Sequence, residues 1–149
     1  MVYSIKITSQ EGEVIEIGTD GEKETGLITD VKIHLDTIND NVSEKAMGML
    51  AKIAIKGLIS NDASVKKKYI DMFNWSKSLS KNQWYRTIVI KSYVDENHED
   101  VYRTYQFDNV FVVDYIEEYF ATTKDGAPKD HFELYLTQKE NNLKNIETY

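Results

Sequence analysis

The sequence predicts a mostly β fold, a small antiparallel β-barrel carrying one inserted α-helix, and three observations predict it. Apolar residues recur with period two along most of the chain, the pattern of half-buried strands. Residues 62–79 form the best helix pattern, with apolar residues at helical spacing behind a good capping residue. Strands that do not alternate regularly with helices argue for a barrel or sandwich and against a doubly wound parallel sheet. The 149 residues suit a single domain, 1–149, with room for one core.

Tyr3, Ile5 and Ile7 share one face of a first strand, and Ile15 and Ile17 begin a second. The segment TDGEKETG behind them, with Asp20, Gly21 and Gly26, suits a turn or loop. In DVKIHLD, Val31, Ile33 and Leu35 point one way while Lys32 and His34 point the other. Residues 43–60 fit two patterns. Ser43 suits a helix cap, with Ala46, Met47, Leu50 and Ile53 as its stripe, yet Ile53, Ile55, Gly57 and Ile59 alternate. Each glycine here would weaken a helix by about 1 kcal/mol, so residues 49–59 are assigned to a strand.

The helix follows, capped by Asp62 or Ser64, with Val65, Tyr69, Met72 and Phe73 on one face and Trp75 closing it onto the sheet. WYRTIVIKSYV and VYRTYQF flank the charged loop DENHED and read as a hairpin. NVFVVDYIEEY comes almost at once. After the loop TTKDGAPKD, HFELYLTQK alternates Phe132, Leu134 and Leu136 against a polar set. Residues 140–149 are polar and read as a flexible tail.

Composition narrows the function. A net charge of -7, with Lys66-Lys67-Lys68 as the one tight basic run, argues against nonspecific binding to nucleic acid or anionic lipid. The absence of cysteine excludes disulfides, thiolate nucleophiles and Cys-based zinc sites. The start MVYSIKITSQEGE has no secretory signal pattern, and no apolar run approaches the roughly 20 residues of a membrane span. Synthesis in the cytoplasm is expected, and any export would use a route without a cleaved signal.

No catalytic, cofactor-binding or metal residues are assigned, and no cofactor is expected. His34, His98 and His131 are scattered, with no HExxH, and read as surface or strand-edge residues. No GxSxG, P-loop or GxGxxG occurs. The acidic loop Asp95, Glu96, Glu99 and Asp100 lacks EF-hand spacing and reads as a solvated hairpin tip. Glu117 and Glu118 are adjacent, so on a strand they point to opposite faces and cannot act jointly. Tyrosines are more telling: Tyr85, Tyr93, Tyr102, Tyr105, Tyr115, Tyr119 and Tyr135 fall on expected strands. They suit both cross-strand packing and subunit contacts, and the sequence leaves both open.

The stretch YQFDNVFVVDYIEEY, residues 105–119, has apolar residues for two faces. On an unbroken strand Phe111, Val113 and Tyr115 face one side, and Val110, Val112, Asp114 and Ile116 the other. One set can line the chain's own core; the other needs the helix or a neighbouring molecule over it. Val110, Val112 and Ile116 are therefore the candidate subunit interface.

The order LAKIAIKGLI, a helix ending FNWSKSL, then YRTIVIKSYV, YQFDNVFVVDYIEEY and FELYLTQK resembles the Hcp-like family, the tube-forming proteins of type VI secretion systems and relatives of phage tail tube proteins. It is most similar to a clostridial-type branch. The resemblance covers roughly residues 30–140, most clearly 84–139, and rests on strand order and apolar pattern. It implies a barrel flanked by a helix that self-assembles into hexameric rings stacked into tubes, with sheath, baseplate or effector proteins as further partners. The alternative reading is a β-barrel binding a small apolar ligand, against which the large inward Ile, Val, Phe and Leu residues count. An enzyme ranks third.

Overall fold

The computed structural model describes residues 1–19, 24, 26–37, 49–121, 126, 128–138 and 146–149. Their strands are β1 (Val2–Ser9), β2 (Val14–Ile17), β3 (Ile28–Thr37), β4 (Met49–Leu58), β5 (Arg86–Tyr93), β6 (Val101–Glu118), β7 (His131–Gln138) and β8 (Ile146–Thr148). Between β4 and β5 lie helix α1 (Ala63–Ser76) and the single turn α2 (Lys81–Trp84). Every ladder is antiparallel. The strands form one sheet in the order β2-β1-β5-β6-β7-β4-β3, with β8 added against β6.

A mostly antiparallel β fold with an inserted helix is what the sequence predicts, but the closure expected of a barrel does not form. Among the described residues no ladder joins the edge strands β2 and β3. The sheet curls instead until β3 meets β1, with Tyr3, Val31 and Ile33 packed onto one shared core. Isoleucines dominate that core: Ile5, Ile7, Ile17, Ile53, Ile55, Ile88 and Ile90 are each buried, beside Phe107, Phe132, Leu134 and Leu136. Alternation explains the selection, since β-branched side chains two residues apart stand on one face of a pleated strand.

Residues 49–58 are extended, as the alternation requires, whereas the possible helix start at Ser43 lies outside the described residues. Gly57 has a steric reason. A Cβ there would sit 2.5 Å from Cε1 of Phe132 and 2.6 Å from the Leu27 carbonyl oxygen. The ring of Phe132 occupies the space that a side chain would need.

Helix α1 starts at Asp62, whose carboxylate accepts bonds from the Ser64 backbone N–H at 2.9 Å and the Ser64 hydroxyl at 2.7 Å. Its buried residues are Val65, Tyr69, Met72 and Trp75. Phe73, expected on that stripe, is 51% exposed, and Trp75 takes the inward place at the helix end. The Trp75 indole N–H donates to the Trp84 carbonyl at 3.0 Å, which ties α1 to α2. The Tyr69 hydroxyl donates to the Leu58 carbonyl and accepts from the Ser60 N–H, which ties α1 to the end of β4.

Two loop expectations change. Glu24, within TDGEKETG, is 1% exposed: it accepts a bond from the Gly18 N–H, and both its oxygens lie 2.8 Å from Lys68 Nζ. The tail is not wholly unstructured either. Ile146–Thr148 forms β8, and Tyr149 exchanges two backbone bonds with Thr104. Residues 139–145 lie outside the described residues.

Candidate assembly surface

β6 is 18 residues long and spans both halves of the sheet. Its first half pairs with β5 and its second with β7. Besides a register shift near its start, where Ser92 faces Arg103 and Tyr93 faces Val101, two bulges interrupt it. Arg86 faces Val110 while Ile88 faces Phe107, so β6 has an extra residue there, and Asn109 adopts φ 56°. Val112 faces Leu136 while Asp114 faces Tyr135, which leaves Val113 as the second extra residue.

A single extra residue reverses which side chains face inward. Val110 is 0% exposed and belongs to the core, and Val112 is half-buried against it. Beyond the second bulge the inward row passes to Tyr115, which pairs with buried Leu134. Ile116 lies on the outer row, 42% exposed, with Val113 at 55%. The expectation that Val110, Val112 and Ile116 share one face is therefore corrected. It assumed an unbroken period of two, whereas the chain covers Val110 itself and leaves Ile116 in solvent.

The outer faces of β3, β4, β7 and this part of β6 form an open groove of about 650 Å³. Lys32, His34, Lys52, Ala54, Tyr135 and Thr137 are among the residues lining it, with Val113 and Asp114 at its β6 side. Cations on it are partly balanced: Lys52 Nζ lies 3.1 Å from Asp36, and Lys56 Nζ lies 3.2 Å from Glu133. The bond to Glu133 raises the Lys56 pKa above its ordinary value. The face is thus amphipathic, with the exposed Val113 side chain beside paired charges.

A second groove, of about 390 Å³, separates α1 from the end of β6. Ile70 and Phe73 line its helix side and Tyr119 its strand side, all about half exposed or more. Glu117 orders the tyrosines there. One carboxylate oxygen accepts from the Tyr115 hydroxyl at 2.7 Å and the other from Tyr119 at 2.9 Å. Burial, then the bond to Glu117, pushes the Tyr115 hydroxyl well above the usual phenol range. The same causes in the same order push Tyr119 up to about 12.

Other tyrosines divide between the two roles left open by the sequence. Tyr85 meets Phe111 edge-on, Tyr105 stacks on Phe107 and Tyr115 packs near Phe132, whereas Tyr102, Tyr119 and Tyr149 are more than half exposed.

The three histidines sit on separate elements. His34 is exposed on β3, His98 packs edge-on against Tyr93 in the β5–β6 turn, and His131 Nε2 lies 3.2 Å from Glu118. In the acidic turn, Asp95 accepts bonds from the Glu99 and Asp100 N–H groups, which makes it an internal turn cap. No group of three or more His, Asp or Glu among the described residues could hold a metal ion.

Sequence reasoning missed Arg86. Its side chain is 4% exposed, stacks over Trp75 at 5.1 Å and approaches Glu13 at 3.6 Å. Burial lowers its pKa, and Glu13 offsets part of that shift. Its place before the alternating isoleucines of β5 was the one available signal. No helix among the described residues is long and apolar enough to cross a membrane.

No protein-family model and no curated protein matches the chain. The fold, however, is shared with solved structures along its whole length. A double mutant of Hcp1 from the E. coli EAEC 042 pathovar superposes with a TM-score of 0.62 at 12% identity, over 100% of this chain and 98% of that one. Hcp1 from Flavobacterium johnsoniae gives 0.55 at 10% identity, covering 99% and 94%. The sheath/tube terminator of the PVC extracellular contractile injection system gives 0.54 at 14% identity, covering 99% and 92%. The chain has the Hcp-like fold.

Proposed function

We propose that this protein is a structural tube or ring subunit of a contractile injection, secretion or phage-tail-like apparatus, self-assembling into stacked hexameric rings. One observation carries the reading. The Hcp-like fold spans this chain from end to end, covering 100% of it and 98% of Hcp1, and 99% of it and 92% of the sheath/tube terminator. The free β3 edge supports it, because its unpaired backbone N–H and C=O groups can pair with a neighbouring copy, and a head-to-tail contact repeated around an axis closes a ring. Sheath, baseplate or cap proteins and effectors are the partners this role requires, and it needs no cofactor or catalytic residue. It also places the protein in an expelled tube, exported without crossing a membrane by a helix of its own.

Of the interface candidates, Ile116 is the accessible one, and Val113 joins it on the outer row. Val110 and Val112 support the interface from beneath by holding β6 to the core. A ligand-binding barrel is less well supported, because side chains fill the interior and the groove of about 650 Å³ is on the open outer face.

The test is Ile116→Asp. Wild type should sediment as rings or longer species and show rings in electron micrographs. The variant should sediment as a monomer with an unchanged β-sheet spectrum, because a carboxylate is costly only where a neighbour would bury it. A wild type that stays monomeric at high concentration defeats the reading.

A further inference from the structure

β8 fills a gap that the rest of the fold leaves open. β7 lies along one edge of β6 from Glu118 back to Val110, where Gln138 is its last partner. β8 then takes up that same edge in the same direction, pairing Ile146 with Phe107 and Thr148 with Tyr105. It must be the same edge, because β5 already holds the other one over these residues. Tyr149 completes the ladder through two backbone bonds to Thr104.

The attachment is mostly backbone. Glu147, Thr148 and Tyr149 are exposed, and the side-chain bond joining them to β6 runs from Arg103 Nε to Thr148 Oγ1 at 3.0 Å. A strand held by backbone pairing, with Glu147, Thr148 and Tyr149 in solvent, opens more readily than the core. Once open, it leaves an unpaired stretch of β6, Thr104–Phe107, whose register fits β8 of this same sequence. Val110 and Phe107 are about 10 Å apart along a strand. Residues 139–145 together reach roughly 25 Å when extended.

We propose that β8 is exchanged between copies in the assembled state: β8 of one copy pairs with Thr104–Phe107 of its neighbour. This rests on the assembly reading above. The local ladder is the same whether the strand comes from its own chain or another, so exchange adds a chain crossing without requiring a new fit. In an isolated copy the same strand masks the acceptor edge and opposes wrong pairing.

The chain has no cysteine, which makes the test direct. Gln106 and Glu147 are opposed in the ladder. Two single variants, Gln106→Cys and Glu147→Cys, are mixed, assembled, oxidised and run on a non-reducing denaturing gel. Exchange gives a disulfide joining one molecule of each variant, and the double variant gives covalent multimers that vanish on reduction. The pair Tyr105→Cys and Thr148→Cys repeats the test at an independent position. Assembled double variant that crosslinks only within single molecules, with no mixed dimer from the singles, overturns exchange and leaves assembly standing. Failure of the wild type to assemble overturns both.

Discussion

At one edge of the sheet, β2 is four residues long and packs against α1. The chain leaving it is fastened inward, with Gly18 bonded to Glu24 and Glu24 paired with Lys68 on the helix. At the other edge, β3 runs ten residues and pairs only with β4 among the described residues. Its Lys32, His34 and Leu35 stand in solvent. The chain thus uses its helix and an ion pair on buried Glu24 to finish the short edge, and leaves the long one unpaired on its outer side among the described residues. A long open edge is a liability for a protein that stays alone and an asset for one that assembles. The protected edge should therefore govern stability, and the open edge and outer row should govern association.

The largest effect is expected at the protected edge. A Cβ on Gly18 would lie 2.5 Å from the Tyr3 carbonyl oxygen, and its φ is +91°. Gly18→Ala should cost about 4 kcal/mol, the sum of a left-handed backbone and an overpacked contact. Gly26→Ala sharpens the comparison: φ is +79° but nothing lies within 4 Å. It should cost only about 1–2 kcal/mol in the same urea titration. Equal losses at both sites would remove the steric explanation.

Next comes the ion pair. Lys68→Met leaves the Glu24 carboxylate buried without its cation and should cost about 3 kcal/mol. Adding Glu24→Gln should restore more than half of that loss. A simple sum of the two single losses would show that the pair acts through something other than charge burial.

At the open edge the sign of the contrast reverses. Leu35→Lys places a cation on a side chain already 50% exposed, so stability should change by no more than about 0.5 kcal/mol. The assembled fraction should nevertheless fall in sedimentation. Unchanged assembly would remove this part of β3 from the interface.

The smallest effect is a pH dependence at the β6 end. Tyr119 keeps its proton up to about 12 in the folded chain, against 10.0 ordinarily. The folded pKa is raised, so this contribution is complete below pH 10 and is lost as pH rises through about 12. Glu117→Gln removes the carboxylate that holds both phenol protons and should move tyrosinate absorbance toward lower pH. An unmoved titration would leave burial as the sole cause.

The fold was readable where one physical pattern ran without interruption. The alternation of Ile53 with Ile55 and of Phe132, Leu134 and Leu136 identified strands and their buried faces, because a pleated strand with one covered face has no other way to place them. Asp62 and the spacing of Val65, Tyr69 and Met72 located the helix for the same local reason. The strand-rich pattern also led to the Hcp-like fold that the solved structures share. Reading failed at residues whose orientation depends on something distant. Phe73, expected on the buried stripe, is 51% exposed, whereas Trp75 closes the helix onto the sheet as expected and bonds to Trp84.

What the sequence by itself determined was local: which segments are strands, where the helix begins, and that the chain has no cysteine for a disulfide or thiolate site. These follow from side-chain periodicity, capping and composition, which act over a few residues. The tertiary structure decided the rest. Bulges at Asn109 and Val113 moved Ile116 to the outer row and Val110 into the core. Lys68, distant in sequence, made a buried residue of Glu24 in a polar loop. The incomplete curl of the sheet left β2 and β3 unjoined. Each depends on partners far along the chain, and an extra residue in a ladder changes every facing beyond it while leaving the composition of the strand the same.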